Sequence, residues 1–469
     1  MANSYLNKTF SGAPTNAKKG TVSIWFKLAQ NDSSSNNYYR LFVTGADANN
    51  RTDLNIVKPD ADVDSNDKAG RLLFSHLVGG NNYTWRTNRQ LRDMSAYYHL
   101  VVAYDTTQAS ASDRLKIYIN GEQETSLDNS ATIPQDTDLF FGNNSSAHHI
   151  GNSPHYSPRF FQGYMSHFAY VDGTALTPTS FGETDSTSGI WKFKSPSSVT
   201  WGNNGVHLKF ENSGNMGLDS SGNTHNFTVN GNLKQSLDTP SNNHSTINGL
   251  FRSRFLNQAT LTNGNLTMTT GPTDGDKALL LGTQGVTKGK WYWECKVGAD
   301  RSMIGFAYDS ISRFSDFYGS NSPSDGFSVY GNNGNVYYDG TNTAYGSSWT
   351  TNDIIMVALD MDNKLAWLGK NGTWMNSATQ TEIENGTATN DLTTKMSTKQ
   401  NLNSGEPVFP LFADMTGTGD MAMDINFGSG FFGTTAISSA GSNGNGSLFE
   451  YNVPSGYYAL NTKNINTYG

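Results

Sequence analysis

Arg114-Leu-Lys-Ile-Tyr-Ile-Asn-Gly-Glu-Gln123 is the stretch of sequence that decides the fold. Its first half alternates leucine or isoleucine with polar residues, which is the period of a strand that buries one face. Asn120-Gly121 follows at once, and this pair is the strongest short signal for a hairpin turn because both residues tolerate positive φ. The stretch therefore predicts a β-hairpin whose apolar face packs against a second layer of strands.

The same alternation recurs on both sides of this hairpin, at residues 21–28, 98–105 and 161–173. A strand, a turn, a strand and an Asn-Gly pair come again in that order at residues 353–372, which favours one architecture for both halves. Only 15% of the 469 residues are charged and 48 are glycine, which suits short strands joined by tight turns. Long charged helical blocks are missing, so we predict an all-β protein.

Charge and apolar content exclude several classes of protein. The formal charge is −8 and the 32 basic residues are scattered, so we expect no nucleic-acid partner. No apolar run approaches the length that a bilayer needs, so we expect no membrane insertion. Cys295 is the one cysteine and alternates in phase with tryptophans, which indicates a buried small hydrophobe. The first residues lack the features of a signal peptide, so we expect synthesis in a cytoplasm without export.

Each half resembles a known domain family. The first resembles LamG-type domains of the concanavalin A-like class at residues 21–28, at Tyr98-His-Leu-Val101, at Leu115-Lys-Ile-Tyr-Ile-Asn-Gly121 and at the closing residues 163–178. The second resembles a SPRY domain at Gly289-Lys-Trp-Tyr-Trp-Glu294, Ile304-Gly305, Asn371-Gly-Thr-Trp374 and Pro407-Val-Phe-Pro-Leu411. Both resemblances imply jelly-roll sandwiches.

These resemblances give the expected fold class: all-β, with two concanavalin A-like jelly-roll β-sandwich domains. We place the LamG-like domain at residues 1–182 and the SPRY-like domain at residues 251–469. An ordered Gly/Asn/Ser-rich connector with short strands is expected at residues 183–250. Trp191, Phe193 and Trp201 fall inside it, and exposing three large rings would be costly, so the connector should lie against its neighbours.

The order of motifs across the connector indicates a narrower class of proteins than the family resemblance of either domain does. Asp172-Gly-Thr-Ala-Leu-Thr-Pro178 is followed by Gly189-Ile-Trp-Lys192, Gly205-Val-His-Leu-Lys-Phe210, Asp219-Ser-Ser-Gly-Asn223 and Asp238-Thr-Pro240. This order resembles virion proteins of marine phages, cyanophages in particular. The resemblance implies a protein that is made in the host cytoplasm and ends up in the virion. It also implies other virion proteins as partners and a homo-oligomer within the particle.

The sequence contains few residue patterns that indicate catalysis or metal binding. Paired catalytic acids, a phosphate-binding loop and a nucleophile elbow are all missing, so we predict no catalytic residues and no enzyme. Asp60, Asp62 and Asp64 alternate as calcium ligands can, and LamG domains often bind calcium; the alternative is a solvated acidic loop. No other cofactor is expected. His148, His149 and His155 share a polar segment that we interpret as a surface loop rather than a transition-metal site.

Glycan binding needs aromatic faces to stack on sugar rings and polar groups for the hydroxyls. Tyr337, Tyr338 and Asp339 follow a predicted hairpin tip, with Trp349 and Trp374 on later turns. These five residues are the predicted glycan site, although tyrosine and tryptophan also fill sandwich cores. The expected function is a phage structural protein on the particle surface, either tail-fibre-like or a head decoration, that binds host surface polysaccharide. A polysaccharide depolymerase and a stand-alone lectin are the alternatives.

Overall fold

The predicted hairpin is formed in the computed structural model of the chain. Asn120 has φ 51° and Gly121 φ 86°, the two positive values that an Asn-Gly hairpin turn requires. The structure describes residues 4–30, 37–59, 62–129, 131–156, 159–251, 259–271, 278–313, 326–338, 340–395, 405–414 and 421–469. They divide into two units, Met1–Gln235 (unit 1) and Ser236–Gly469 (unit 2).

The described residues of unit 1 form strands joined by turns and two 3₁₀ helices, Ala111–Asp113 and Pro178–Ser180. The strands are β1 (Tyr5–Lys8), β2 (Lys19–Leu28), β3 (Tyr38–Asp47), β4 (Asn50–Val57), β5 (Arg71–Val78), β6 (Asn81–Gln90), β7 (Tyr98–Asp105), β8 (Leu115–Ile119), β9 (Glu122–Gln123), β10 (Leu127–Asn129), β11 (His148–Ile150), β12 (Gly163–Asp172), β13 (Gly182–Thr184), β14 (Trp191–Phe193), β15 (Val206–Leu208) and β16 (Thr228–Asn230).

Two sheets face each other across the core of unit 1. Sheet A has the order β10-β6-β5-β4-β3-β11-β1-β16, and sheet B has the order β15-β12-β2-β7-β8-β9. Alternate residues of each strand point inward, as the sequence predicts. On β2 these are Val22, Ile24, Phe26 and Leu28, none of them more than 1% exposed. The sandwich therefore has two further faces, one outside each sheet, that can carry polar or functional side chains.

Unit 2 is also a sandwich with short helices added. Its described strands are β17 (Thr260–Thr262), β18 (Thr267–Thr270), β19 (Ala278–Leu281), β20 (Lys290–Val297), β21 (Ser302–Ala307), β22 (Gly326–Tyr330), β23 (Asn335–Tyr338), β24 (Thr341–Ala344), β25 (Ile354–Asp360), β26 (Leu365–Lys370), β27 (Thr373–Trp374), β28 (Phe409–Asp414), β29 (Met421–Asn426), β30 (Phe431–Phe432), β31 (Thr435–Ala436) and β32 (Tyr458–Ala459). Its helices are a 3₁₀ turn at Asp309–Arg313, α1 (Gln380–Asn385), α2 (Leu392–Lys395) and α3 (Thr462–Tyr468).

The sheets of unit 2 repeat the two-layer plan. Sheet C has the order β17-β18-β29-β20-β25-β26-β27, with β32 parallel to β20, and sheet D has the order β19-β28-β21-β22-β23-β24. Cys295 is fully buried on β20 in the same core as Trp291 and Trp293, which confirms the prediction for this thiol. The fold is thus all-β with two jelly-roll domains, as predicted.

The recurring Asn-Gly pairs make the same turn in both units. Asn371 and Gly372 have φ 49° and 83°, close to the values at residues 120 and 121. In unit 1 the Asn120 side chain accepts a hydrogen bond from the backbone N–H of His99 at 2.8 Å. In unit 2 Asn371 accepts one from Ile354 N–H at the same distance. The short sequence echo therefore marks one structural device, which ties a turn to the start of the neighbouring strand.

The predicted connector at residues 183–250 contributes short strands to the sheets of unit 1. Its strand β15 pairs with β12 and its strand β16 pairs with β1, so both sheets of unit 1 are completed by it. The division between units falls after Gln235, and Ile247 already belongs to the core of unit 2. Low apolar content hid this membership, because each added strand is only three residues long.

A substitution at Gly121 tests the hairpin. A Cβ at Gly121 would lie 2.7 Å from the indole ring of Trp191, in addition to the strain of positive φ. We expect Gly121→Ala to destabilise unit 1 by about 2–4 kcal/mol in chemical denaturation. Gly79→Ala is the control, because Gly79 also has positive φ but open space around it, and should cost only about 1–2 kcal/mol. Equal losses would contradict the packing role of Trp191.

Candidate functional site

The aromatic residues predicted to bind glycan lie in the core of unit 2. Tyr337, Tyr338, Trp349 and Trp374 are each 8% exposed or less. Tyr338 stacks on Phe327 at 4.4 Å between ring centroids. A ring whose faces are packed against protein is not available to stack on a sugar, so a glycan site at these residues stays a prediction that their burial does not support. Asp339 lies outside the described residues.

The predicted calcium ligands are engaged in holding their own loop. Asp62 pairs with Lys68 at 3.0 Å and accepts a backbone hydrogen bond, and Asp64 accepts two. Asp60 lies outside the described residues. Among the residues that the structure describes, no group of three or more His, Cys, Asp or Glu side chains could hold a metal ion. A calcium site here stays a prediction.

The predicted histidine loop is in fact partly a strand. His148 and His149 belong to β11, and alternation sends them to opposite faces of sheet A. His148 is fully buried in the core side, where its ring accepts a hydrogen bond from Gly142 N–H at 2.8 Å. His149 lies on the outer face, where Tyr5 stacks on it at 5.7 Å. The pair cannot bind one metal ion together.

The outer face of sheet A carries a cluster of charged and aromatic side chains that sequence reasoning missed. Strands β3 and β4 place Arg40, Arg51 and Asp53 on this face, because their neighbours in the alternation point into the core. A bulge between Arg40 and Phe42 lets two successive apolar residues of β3 stay buried without turning Arg40 inward. We call these three residues, with Tyr38, Tyr156 and Arg159, the arginine–tyrosine cluster.

A buried carboxylate lies at the base of the cluster. One oxygen of Asp53 is 2.6 Å from Arg51 Nε and 3.3 Å from Arg40 Nη1. The other oxygen accepts a hydrogen bond from the Asn55 amide at 2.7 Å. Asp53 is fully buried, and both arginines are less than 10% exposed. Two guanidinium groups therefore share one carboxylate on this face of the sheet.

The rings of Tyr38 and Tyr156 contact these arginines and also contact a third arginine, Arg159. The ring of Tyr156 is 5.5 Å from the guanidinium of Arg40, 5.0 Å from that of Arg51 and 4.5 Å from that of Arg159. The ring of Tyr38 lies 5.3 Å from Arg40 and 5.2 Å from Arg159. Cation–π contacts of this kind hold guanidinium groups flat against rings. Tyr156 and Arg159, which lie between β11 and β12 in the sequence, are thereby held against the sheet.

The electrostatics of the cluster favour an added negative charge. Burial lowers the pKa of Arg40 to about 10, Asp53 opposes that change, and the neighbouring positive charges of Arg159 and Arg51 add to it. The Nε of Arg40 and the amide oxygen of Asn55, at paired positions of β3 and β4, are both buried and have no hydrogen-bond partner among the described residues. Buried polar groups are nearly always paired, so this donor and acceptor are groups that a water molecule or a ligand could satisfy.

A second constellation in unit 1 has the composition of a catalytic dyad but not its chemistry. Ser23 Oγ lies 2.9 Å from His99 Nε2, and the other ring nitrogen of His99 accepts a hydrogen bond from the indole N–H of Trp191 at 2.9 Å. An indole N–H only donates, so in the neutral ring the proton is on Nε2, which donates to Ser23. His99 therefore cannot take the proton of Ser23, and the pair is structural.

Rings from the predicted connector cover the outer face of sheet B. Trp191 stacks on His99 at 5.9 Å, and Phe193 stacks on His167 at 3.7 Å. Further along, Trp201 stacks on His207 at 5.4 Å. The three aromatic residues that we expected to be costly to expose are thus half-buried against histidines of unit 1. This face is closed by packing.

Glu294 is a fully buried carboxylate of unit 2 that connects two segments of the chain by hydrogen bonds. It accepts hydrogen bonds from the Tyr292 hydroxyl at 2.9 Å and from the backbone N–H groups of Glu450 and Tyr451 at 2.8 and 2.9 Å. Burial raises the pKa of Glu294 to about 7, although these three donors favour its charged form. Through its hydrogen bonds to two backbone N–H groups, Glu294 fixes the segment that follows β31 to β20.

Among the described residues, no helix is long and apolar enough to cross a membrane.

Comparison with known proteins identifies both halves. Residues 3–180 match the model of the concanavalin A-like lectin/glucanases superfamily, and residues 290–413 match that of the SPRY domain. The chain thus carries a LamG-like, concanavalin A-like domain followed by a SPRY domain. A comparison with curated proteins found no match.

Several solved structures are similar to parts of the chain. The SPRY domain of human HERC1 is 21% identical, with 36% of this chain and 91% of that chain covered and a TM-score of 0.26. A putative carbohydrate binding protein from Bacteroides ovatus is 18% identical, with 49% and 59% covered and a TM-score of 0.28. A SAP-like pentraxin from Limulus polyphemus is 16% identical, with 37% and 71% covered and a TM-score of 0.25.

Proposed function

We propose that this protein is a glycan-binding protein of a phage particle and that unit 1 is the half that binds the glycan. The arginine–tyrosine cluster is the observation that carries this proposal. It gathers ring faces, guanidinium donors and an amide oxygen with no partner among the described residues on the outer face of a sheet, in a domain whose sequence matches a lectin superfamily. Sugars are bound by this combination of stacking surfaces and directed hydrogen-bond donors.

Binding rather than catalysis is part of the proposal. Glycoside hydrolysis uses two carboxyl groups at either side of the scissile bond. In the cluster, Asp53 is buried and forms ion pairs with two arginines, which suits a structural counter-ion better than a nucleophile. The Ser23–His99 pair has its proton on the wrong nitrogen for a base. A depolymerase is therefore the less supported alternative.

The location in a virion rests on the motif order that resembles marine phage proteins. We propose a surface-displayed protein, tail-fibre-like or a head decoration, assembled as a homo-oligomer with other virion proteins and facing host polysaccharide. Gold-labelled antibody on purified particles tests this by electron microscopy. Label over the head or at the tail is the expected result, and unlabelled particles would overturn the virion assignment while leaving glycan binding open.

A glycan array probed with the full-length chain at pH 7.5 tests the binding function. We expect binding to a limited set of polysaccharide fragments, abolished when the protein is heat-denatured beforehand. Binding retained by a variant with a disrupted unit 2 core, such as Trp293→Ala, would support the assignment to unit 1. A folded protein that binds no glycan on the array would contradict the proposed function.

A further inference from the structure

We propose that the arginine–tyrosine cluster binds the acidic group of a sugar, the carboxylate of a uronic acid or a sulfate ester, and that Arg159 makes the direct contact. This deepens the proposed function and rests on it. It names the class of glycan that unit 1 selects and the residue that makes the choice.

The first support is the charge balance of the cluster. Three guanidinium groups, Arg40, Arg51 and Arg159, gather around the two tyrosine rings, and Asp53 is the carboxylate that pairs with two of them. Among the described residues, Arg159 makes contacts with rings and no ion pair. Excess positive charge at a half-buried position is costly unless an anion joins it. The protein as a whole has a charge of −8, so this positive spot is local.

The second support is the layering of the cluster. Arg40 and Arg51 are buried beneath Tyr156, so a ligand does not need to reach them. Arg159 lies against the rings of Tyr156 and Tyr38 and is half-buried, so its guanidinium is held by the rings while part of the residue is open to solvent. A pre-oriented guanidinium recognises a carboxylate or sulfate by two parallel hydrogen bonds.

The third support is the way the tyrosines are fixed. The Tyr38 hydroxyl donates a 2.6 Å hydrogen bond to Asp67, whose other oxygen accepts one from Arg86 at 2.6 Å. This second ion pair anchors the ring that supports Arg159 and satisfies its own charges. Asp67 is therefore committed to Arg86 and Tyr38 and is not the counter-ion of Arg159. The site is held rigidly by its neighbours, which reduces the entropy lost when a ligand binds.

The experiment measures binding of the full-length chain to three polymers: polygalacturonate as a carboxylate probe, dextran sulfate as a sulfate probe and dextran as a neutral probe. Arg159→Ala removes the contact, and Arg159→Lys keeps the charge but loses the fork. Lys116→Ala is the matched control, since Lys116 lies on β8 of the opposite sheet and its loss changes the net charge equally.

We expect the unaltered protein to bind at least one acidic polymer about tenfold or more tightly than dextran, with affinity that falls as salt is raised. Which of the two acidic polymers binds better distinguishes a carboxylate from a sulfate. Arg159→Ala should weaken that binding about tenfold or more and Arg159→Lys by less, while Lys116→Ala stays within about twofold.

Equal binding of Arg159→Ala and the unaltered protein would overturn the assignment. Tighter binding to dextran than to either acidic polymer would overturn the proposal that the ligand is an acidic sugar, while glycan binding itself would stand. Binding to no glycan on the array would mean that the proposed function itself is wrong. If Arg159→Ala fails to fold, Arg159→Lys and the salt series decide. Unchanged binding by that variant together with salt-independent affinity would overturn the proposal.

Discussion

Unit 1 is expected to unfold when the pH is lowered from 7.5 to 5, while unit 2 stays folded. Eight of the nine histidines lie in unit 1, and burial holds most of them neutral. Burial lowers the pKa of His99 and His148 to about 3 and that of His76, His149 and His207 to about 4. The unfolded chain offers each ring a pKa near 6.5.

The sign and size of the effect follow from linkage. A histidine with a depressed folded pKa takes up its proton more readily in the unfolded chain, so its contribution to stability is complete above about pH 6.5 and is lost as the pH falls toward 3–4. At pH 5 each of the five rings costs ~2 kcal/mol, or ~10 kcal/mol together. A domain has only about 5–15 kcal/mol of stability in total.

Glu294 has the opposite effect on the pH dependence of stability in unit 2. Its folded pKa of about 7 lies above that of an exposed glutamate, so the folded state binds this proton more tightly than the unfolded chain does. Its contribution to stability therefore rises as the pH falls from about 7 to about 4.5. Lowering the pH should therefore destabilise unit 1 relative to unit 2.

Peptide-resolved hydrogen exchange at pH 7.5, 6 and 5 measures both units in one chain. Backbone protection of β7 and β8 should be lost by pH 5, while that of β20 and β25 persists, and a return to pH 7.5 should restore the first pair. Retained protection of β7 and β8 at pH 5 would mean that the histidine rings are less buried than described. Simultaneous loss in both units would contradict the difference between them.

Asp53→Ala is expected to destabilise unit 1 by about 3–5 kcal/mol. The substitution leaves Arg40 and Arg51 buried without their shared carboxylate, and an uncompensated buried charge costs this much. For a domain of this size the melting temperature should fall by roughly 10 °C at pH 7.5. Asp53→Asn, which keeps the shape and removes the charge, should show most of the same loss.

An exposed ion pair of the same unit provides the control. Lys209 and Glu211 are 3.2 Å apart, with side chains 37% and 65% exposed, and Glu211→Ala should cost less than about 1 kcal/mol. Thermal denaturation followed by tryptophan fluorescence compares the three variants. A loss for Asp53→Ala no larger than that for Glu211→Ala would show that the cluster does not depend on its carboxylate.

The fold was predictable wherever its determinants are local. Alternation along β2 and β8 and the Asn-Gly turns at residues 120 and 371 report directly on strands and hairpins. The placement of β15 and β16 was not, because their partners β12 and β1 are distant in sequence and three-residue strands carry too little pattern. A strand of that length acquires its identity from the sheet that it joins.

The candidate site was less predictable than the fold. Tyr337 and Tyr338 point to opposite faces of sheet D, and a sequence cannot show that both faces are covered. The polar alternation of Arg51, Asp53 and Asn55 was visible on β4, but its partner Arg159 is more than 100 residues away and off the sheet. Such a cluster is created by tertiary structure, and the spacing of its residues in the sequence does not predict it.

A crystal structure of the full-length chain with the best-bound oligosaccharide from the array tests the central claim most directly. We predict the sugar on the outer face of sheet A, with its acidic group within hydrogen-bond distance of the Arg159 guanidinium and beside the ring of Tyr156. A sugar bound to unit 2, or to unit 1 with Arg159 still in contact only with the two tyrosine rings, would contradict it.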